Sequence, residues 1–443
     1  MNLEKLKSNL AGAVIVFITT LIIFLFSRVH QFADSNYSML LSESLLQYRS
    51  FTLDNYALPR MPPKTQVGYI SNGDIYQIEL VNNHLYYFFP PGSSILSVPY
   101  VGLMNAFGIS AVSADGSYDR EGEAKIEAGL AALLMAGLSC VIFLTARLKL
   151  SFWWSLLVAY SSALGTQIWS TASRALWSDT WGIFLLGLVI WMLVGVETKR
   201  HRLRPVLLAT LSAWLYFVRP TFAIPIIAIT LYLLLYHRAS FIPYALTGAV
   251  WLAALIGYSE HYFGHLLPSY YQANRLSFET FRLAFAGNLI SPSRGLLIYV
   301  PILLFVAYLL FRYWSALALP KLALLSSSVI IIHLIVVSGF VPWHGGHSYG
   351  PRYSTGLVPW FSLLGILAVD ARLRWRTRES VKDSHFRWRT EWTFGAILLI
   401  SSMTLNALGA TARRTWLWNI EPVNVDEKPE RVWEWSDPQF LAK

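Results

Sequence analysis

Charge is scarce in this 443-residue chain: Asp, Glu, Lys and Arg together make up 14% of it, against 55% apolar residues. Soluble globular domains carry about 25% charged and about 45–50% apolar residues. The deficit excludes an ordinary soluble protein, because the apolar residues gather in long uncharged runs such as 11–27. About 20 such residues cross the core of a bilayer as a helix, with every backbone group paired internally. Cysteine is nearly absent. The single Cys140 lies inside one of these runs, which excludes an internal disulfide and leaves the redox compartment open. No internal repeat and no low-complexity tract is visible, which removes solenoids and argues against a transporter built from duplicated halves. The first apolar run is too long for a signal-peptide core and has no small-x-small pattern close behind it, so it reads as a retained anchor.

Acids are outnumbered by bases, 25 to 35, giving a formal charge of +10. An excess of this size suggests nucleic acid, but its distribution points elsewhere. The cations stand between apolar runs: Lys5 and Lys7; Arg147 and Lys149; Lys199, Arg200, Arg202 and Arg204; His237 and Arg238; Arg312 and Lys321. The largest group runs from Arg372 through Arg374, Arg376, Arg378 and Lys382 to Arg387 and Arg389. Cytoplasmic loops of membrane proteins carry such an excess. With Lys5 and Lys7 inside, alternation predicts about eleven spans, near 10–28, 124–146, 152–169, 178–196, 203–218, 221–236, 241–258, 294–312, 322–340, 355–371 and 392–410. Every large basic cluster then falls on one side. The expected fold is an all-α polytopic membrane domain over 1–410, with a first external loop at 29–122 and a short external tail at 411–443. An inner membrane with the chemistry on the extracytoplasmic face is the expected location.

Two external segments look structured. Tyr37, Leu40, Leu41, Leu45 and Tyr48 recur at helical spacing among Ser38, Ser42, Glu43 and Gln47, which predicts a helix lying in the interface. The run 86–107 is apolar but carries Pro90, Pro91, Gly92 and Pro99. Counting it as a span would move every later basic loop to the wrong side, so a juxtamembrane or re-entrant hairpin is expected. Trp416, Trp418, Trp433 and Trp435 suit an interfacial belt in the tail.

Chemistry is expected at the external ends of the spans. Asp34 follows the first span directly; a partly desolvated carboxylate there suits a general base, and the alternative is a helix N-cap by Asp34 or Ser35. Tyr37 stands just after it. The stretch from Trp343 to Tyr353 holds three glycines, His344, His347, Arg352 and Tyr353. Glycine permits close backbone approach to a ligand, and Arg352 at a helix entrance suits a phosphate, with a snorkelling arginine as the alternative. The two histidines could hold a metal on a helix, but the glycines favour a loop with ordinary polar histidines. Arg294, in Ser291-Pro292-Ser293-Arg294-Gly295, is another external cation at a helix entrance. Arg174 and Asp179 are expected to pair and pin their loop, with phosphate contact by Arg174 as the functional alternative, and Arg219 stays ambiguous. One acid and several arginines on one membrane face fit a lipid-linked phosphate donor.

These residues resemble the GT-C superfamily of polyprenyl-phosphate-dependent glycosyltransferases, the group of the protein O-mannosyltransferases and the lipid A aminoarabinose transferase. The resemblance rests on Ala33-Asp34-Ser35-x-Tyr37; on 86–92, Tyr-Tyr-Phe-Phe-Pro-Pro-Gly; on 262–268 leading to 291–297; and on Gly346-x-x-x-Gly350-Pro351-Arg352-Tyr353. It covers roughly 10–370 in order and topology. It implies an inverting transfer from an undecaprenyl- or dolichyl-phosphate sugar to an external glycan, lipid or other acceptor. Asp34 would activate the acceptor hydroxyl, and Arg352, with Arg294 and Arg174, would bind the departing lipid phosphate. Tyr37, His344, His347 and Tyr353 would support the loops. No cofactor is required on this reading, and nucleic acid is not a partner. The protein mannosyltransferases have adjacent Asp-Glu where this chain has Asp34-Ser35, which points away from a protein acceptor and from their metal dependence. The competing expectations are a ligase or polymerase of the O-antigen type using a lipid diphosphate, and a lipid-linked sugar flippase.

Overall fold

The computed structural model describes residues 3–58, 75–272, 276–377 and 381–442. Helices dominate it. In order they are α1 (Leu3–Phe26), α2 (Ser38–Gln47), α3 (Gly92–Ala106), α4 (Arg120–Arg147), α5 (Phe152–Leu164), α6 (Ser178–Glu197), α7 (Pro205–Val218) and α8 (Ala223–Tyr236). There follow α9 (Arg238–Phe263), α10 (Phe281–Ile290), α11 (Leu296–Tyr299), α12 (Ile302–Arg312), α13 (Pro320–Val337), α14 (Val358–Arg376), α15 (Val381–Thr411) and α16 (Arg413–Leu417). One antiparallel hairpin, β1 (Ile78–Val81) with β2 (His84–Tyr87), pairs Ile78 with Tyr87 and Val81 with His84.

Among the described residues seven helices are long and apolar enough to cross a membrane: α1, α4, α6, α9, α13, α14 with the 3₁₀ turn before it, and α15. The chain is thus a helical membrane protein. The other four expected spans are occupied by shorter helices, and local chemistry explains the shortening. Pro301 splits 294–312 into α11 and α12, since proline has no N–H to continue a helix. Gly165 ends α5, and a π turn follows at Ile168–Ala172. Arg219-Pro220 separates α7 from α8.

Contacts sort the helix ends into two sets. At one end Arg147 donates to Asn9 (2.7 Å), Lys149 meets Asp370 (3.7 Å), His237 meets Glu197 (2.9 Å) and Lys321 sits over Tyr236. This is the arginine-rich end. Arg378 lies outside the described residues, as do the side chains of Lys5 and Lys382. At the other end the loop after α1, the hairpin, α2 and α3 form a cap with its own small core of Leu40, Leu41, Leu53, Ile78, Phe88 and Phe89.

The cap corrects one expectation. Helix α2 does not lie in an interface with its polar face wet: every residue from Ser38 to Ser44 is buried. Its polar groups are satisfied internally. Glu43 accepts from Asn105 Nδ2 (2.7 Å), Ser110 Oγ (2.7 Å) and the Ala111 N–H (3.3 Å). Run 86–107 forms the end of β2 and then α3, with Pro99 inside the helix. The start of α4 meets the cap so closely that a Cβ on Gly122 would lie 1.8 Å from the Ser110 carbonyl oxygen. Backbone is the obstacle, so Gly122→Ala should push 110–118 away and cost roughly 2–3 kcal/mol. A midpoint shift of several degrees in detergent melts checks this; an unchanged melt would mean the contact is slack.

Candidate active site

The segment after α1 is pinned before it reaches Asp34. The Val29 N–H donates to Ala410 O (3.1 Å), the Gln31 N–H to Arg174 O (3.1 Å), and Gln31 Nε2 to Ser170 O (2.7 Å). Gln77 Nε2 then reaches Ala33 O (2.9 Å) and the Tyr87 hydroxyl reaches Asp34 O (2.9 Å). Asp34 is therefore delivered to one place by both α1 and the hairpin. Its carboxylate accepts from the Arg352 guanidinium on Oδ2 and from the Tyr76 hydroxyl on Oδ1 (3.2 Å). Burial, then the charge of Asp34, raises the Tyr76 phenol above its ordinary range. It remains a neutral donor and can only hold the ionised carboxylate. The N-cap alternative is not taken, because Tyr37 caps α2 in the left-handed region (φ 71°) with no side-chain bond.

Arg352 opens the 3₁₀ turn that leads into α14. Its guanidinium lies 3.8 Å from the centre of the Trp177 ring and donates to Gly345 O (3.2 Å). The pair is not sealed: the Asp34 side chain keeps 26% of its accessibility and that of Arg352 10%. Among the described residues two buried donors here have no acceptor, Arg352 Nε and Trp177 Nε1. Buried polar groups are rarely left so, and an unmet pair of donors marks a place for an acceptor-rich group. Nearby, Asp179 pairs with Arg219 and also feels the charges of Arg352 and Asp34. Asp179 was expected to pair with Arg174 and does not.

Arg174 and Arg294 do not present their guanidinium groups to a donor phosphate. Arg174 is buried and donates to Phe24 O, Ser27 O (2.6 Å) and Ser173 Oγ (3.0 Å), which ties the end of α1 to the loop before α6. Burial lowers its pKa to about 9. Arg294 is equally enclosed, and burial lowers it to about 10. It donates to Ser293 O, His344 O, Gly346 O, Gln439 Oε1 and Asn419 Oδ1, all within 2.6–3.2 Å. It fastens the tail to the glycine loop.

The supporting residues also divide. Tyr353 is buried and its hydroxyl donates to Pro342 O (3.1 Å), while its own carbonyl meets His333 Nε2 (2.9 Å). Tyr37 stacks on Tyr118 at 4.3 Å. His344 is buried and pushed down to about 3, first by desolvation and then by Arg294, so it stays neutral; its Nδ1 accepts from the Gly346 N–H (3.3 Å). His347 turns instead to Asn424 Oδ1 (2.8 Å) and Asp426 (3.4 Å) in the tail. The two rings thus serve different partners. No group of three or more metal-ligating side chains occurs among the described residues. The glycines were expected to admit a ligand. Gly345, Gly346 and Gly350 have φ of 77°, 62° and 58°, and the carbonyls of the first two receive Arg352 and Arg294. Of the tail tryptophans, Trp418 is not in a belt but buried in a core with Trp343 and Val432, whereas Trp435 is exposed.

Two carboxylates escaped the sequence reading. Glu123 and Glu127 stand one turn apart where α4 begins and are fully buried. Glu123 accepts from the Tyr37 and Met39 N–H groups (2.8 and 2.7 Å) and from the Tyr118 hydroxyl, so it supplies the cap that α2 lacks. Glu127 accepts from Ser35 Oγ (2.9 Å) and Ser38 Oγ (3.1 Å) and thereby fixes the residue next to Asp34. Their i, i+4 spacing at the entrance of an apolar run was the available signal.

No protein-family model and no curated protein matches this sequence. What the chain does has to be argued from the Asp34–Arg352 centre itself.

Proposed function

We propose that the chain is a membrane glycosyltransferase of the GT-C kind, with eleven crossings, that moves a sugar from a polyprenyl-phosphate donor to an acceptor on the extracytoplasmic face. The observation that carries this reading is the meeting of Asp34 and Arg352 at a half-open end of the bundle, with Arg352 Nε and Trp177 Nε1 lacking acceptors among the described residues. A phosphate oxygen supplies acceptors for both and displaces the carboxylate from the guanidinium. Asp34 is then released toward the acceptor. It takes the hydroxyl proton as the acceptor oxygen bonds to the anomeric carbon, and the bond from that carbon to the phosphate oxygen breaks with inversion. Arg352 holds the charge that builds on the departing polyprenyl phosphate. Phosphate leaves readily, so one carboxylate suffices where glycosidases need two. No cofactor is called for. The short helices α5, α7, α8 and α12 complete the eleven crossings, with the arginine-rich end cytoplasmic by the positive-inside rule.

A second reading, a lipid diphosphate donor, draws on the neighbouring Asp179–Arg219 pair, which offers a second buried guanidinium. Proteoliposomes holding the native chain, given labelled sugars on synthetic polyprenyl mono- and diphosphates, separate the two. Transfer from a monophosphate donor, falling on the order of 10²–10³-fold in Arg352→Gln, is the expected result. Transfer from diphosphates alone would favour the second reading, and none from either donor with folded protein would end both.

A further inference from the structure

The motif Pro90-Pro91-Gly92 has no part in the chemistry above, yet it opens α3 at a place where three helix ends touch pairwise. Gly92 lies so close to the end of α7 that a Cβ on it would stand 2.4 Å from Phe217 O. Arg219, where α7 stops, pairs with Asp179 and reaches Ser178 Oγ (3.4 Å) in the first turn of α6. Trp181 of α6 closes the triangle, its Nε1 donating to Ser97 Oγ of α3 (3.0 Å). Helices α3 and α6 both begin here, so both turn the positive ends of their dipoles to this place. Helix α7 ends here, but its Phe217 carbonyl already accepts from the Tyr271 hydroxyl (3.1 Å).

The start of α3 is bare of acceptors. Pro91 caps the helix with no side-chain bond, and the first bond of the turn runs from the Ile95 N–H to Pro91 O (2.9 Å). Among the described residues no acceptor meets the N–H groups of Gly92, Ser93 and Ser94. The hydroxyls of Ser93 and Ser94 stand in the same turn, 4% and 0% exposed, and they too lack a partner. A helical serine commonly turns its hydroxyl back to the carbonyl four residues earlier, as Ser97 does to Ser93 O (2.7 Å). Ser93 and Ser94 do not. Buried polar groups left without bonds are costly and rare. Three N–H groups and two hydroxyls in one buried turn call for a group rich in lone pairs with no proton of its own to place, at the end of a helix that favours negative charge.

We infer that the first turn of α3 binds an oxyanion, a phosphate or carboxylate group, on the N–H groups of Gly92, Ser93 and Ser94 and on the two serine hydroxyls, where α3 meets the ends of α6 and α7. The site uses neither Asp34 nor Arg352. It stands apart from the glycosyltransferase reading and holds whether or not the chain transfers a sugar.

The full chain in detergent would be titrated with inorganic phosphate and, separately, with phosphatidic acid in mixed micelles, reading the melting temperature. Comparing native chain with variants cancels the general stabilisation that phosphate gives as an excluded salt. Saturating anion should raise the native melting temperature by several degrees, and Arg352→Gln should keep that rise. Ser93→Ala with Ser94→Ala should weaken the anion's affinity on the order of 10–100-fold while leaving the anion-free chain at least as stable, since it removes unmet hydroxyls. Ser93→Asp brings its own carboxylate to the turn, so it should melt higher than the native chain without anion and rise no further with it. A larger rise with inorganic phosphate assigns the site to a water-borne anion, and a larger rise with phosphatidic acid to a lipid headgroup. A native response in the folded double-alanine variant would overturn the site, as would no response of the native chain to either probe. Loss of the whole response in Arg352→Gln would also overturn it, returning the anion to the Asp34–Arg352 centre.

Discussion

Asp34→Asn is expected to abolish transfer while leaving donor binding intact or tighter. The substitution keeps the shape of the side chain and its place beside Tyr76 but removes the charge that holds Arg352. Arg352 is buried and Asp34 only 26% exposed, so stranding the guanidinium should cost up to about 3–5 kcal/mol of stability, less where the open side admits water. Freed of its carboxylate, Arg352 is a better phosphate ligand, because the donor no longer has to displace a competitor. The acceptor proton, in contrast, has nowhere to go. Loss of a general base typically costs on the order of 10²–10⁴-fold in rate, and kcat should fall within that range. Donor binding and transfer measured on the same folded preparation separate two roles. Collapse of kcat with the donor Kd unchanged or lowered identifies the base. Loss of both together makes Asp34 a positioning residue that acts only through Arg352. Transfer within tenfold of native would sink the mechanism.

Hydropathy made the helical membrane class legible, since that class depends on long apolar runs that tolerate local error. The partnership of Asp34 with Arg352, 318 positions apart, was legible only as two candidates on one membrane face. Arg174, Arg294 and Arg352 look alike in sequence, each an arginine at an external helix end. Their fates were decided by which backbone carbonyls the fold happens to aim at them. Three carbonyls and two amide side chains converge on Arg294, and no local pattern announces that. Glu123 and Glu127 were overlooked because acids at the start of an apolar run read as solvated helix ends. Their burial follows from the cap folding down onto α4. The tail misled for a related reason: tryptophans suit an interface and a small core equally, and Trp418 chose the core through bonds to Asp437 O and Oδ2 (both 3.1 Å).

The sequence reading of Arg294 as a phosphate ligand and the structural reading of it as a fastener predict opposite results for Arg294→Met. Methionine fills much of the same volume without donors, so it strands five acceptors that now share one guanidinium. Hydrogen bonds to a charged group contribute about 1.5–3 kcal/mol each, and a buried acceptor left unmet costs about 1–3 kcal/mol. These losses do not add fully, because Gln439 also donates to Ser348 O (2.8 Å) and Thr415 O (3.0 Å) and can hold part of the tail. A net loss on the order of 4–5 kcal/mol remains, at the severe end for a single substitution. The tail should loosen first, since Arg294 links Gln439 and Asn419 to the glycine loop that carries Arg352. Limited proteolysis should therefore cut within 413–442 at concentrations that leave the native chain whole, and the melting temperature should fall steeply. Arg294→Lys, which keeps the charge but not the five-donor geometry, should lie between the two. A variant that melts like the native chain and resists proteolysis, yet no longer binds donor, would return Arg294 to the phosphate site.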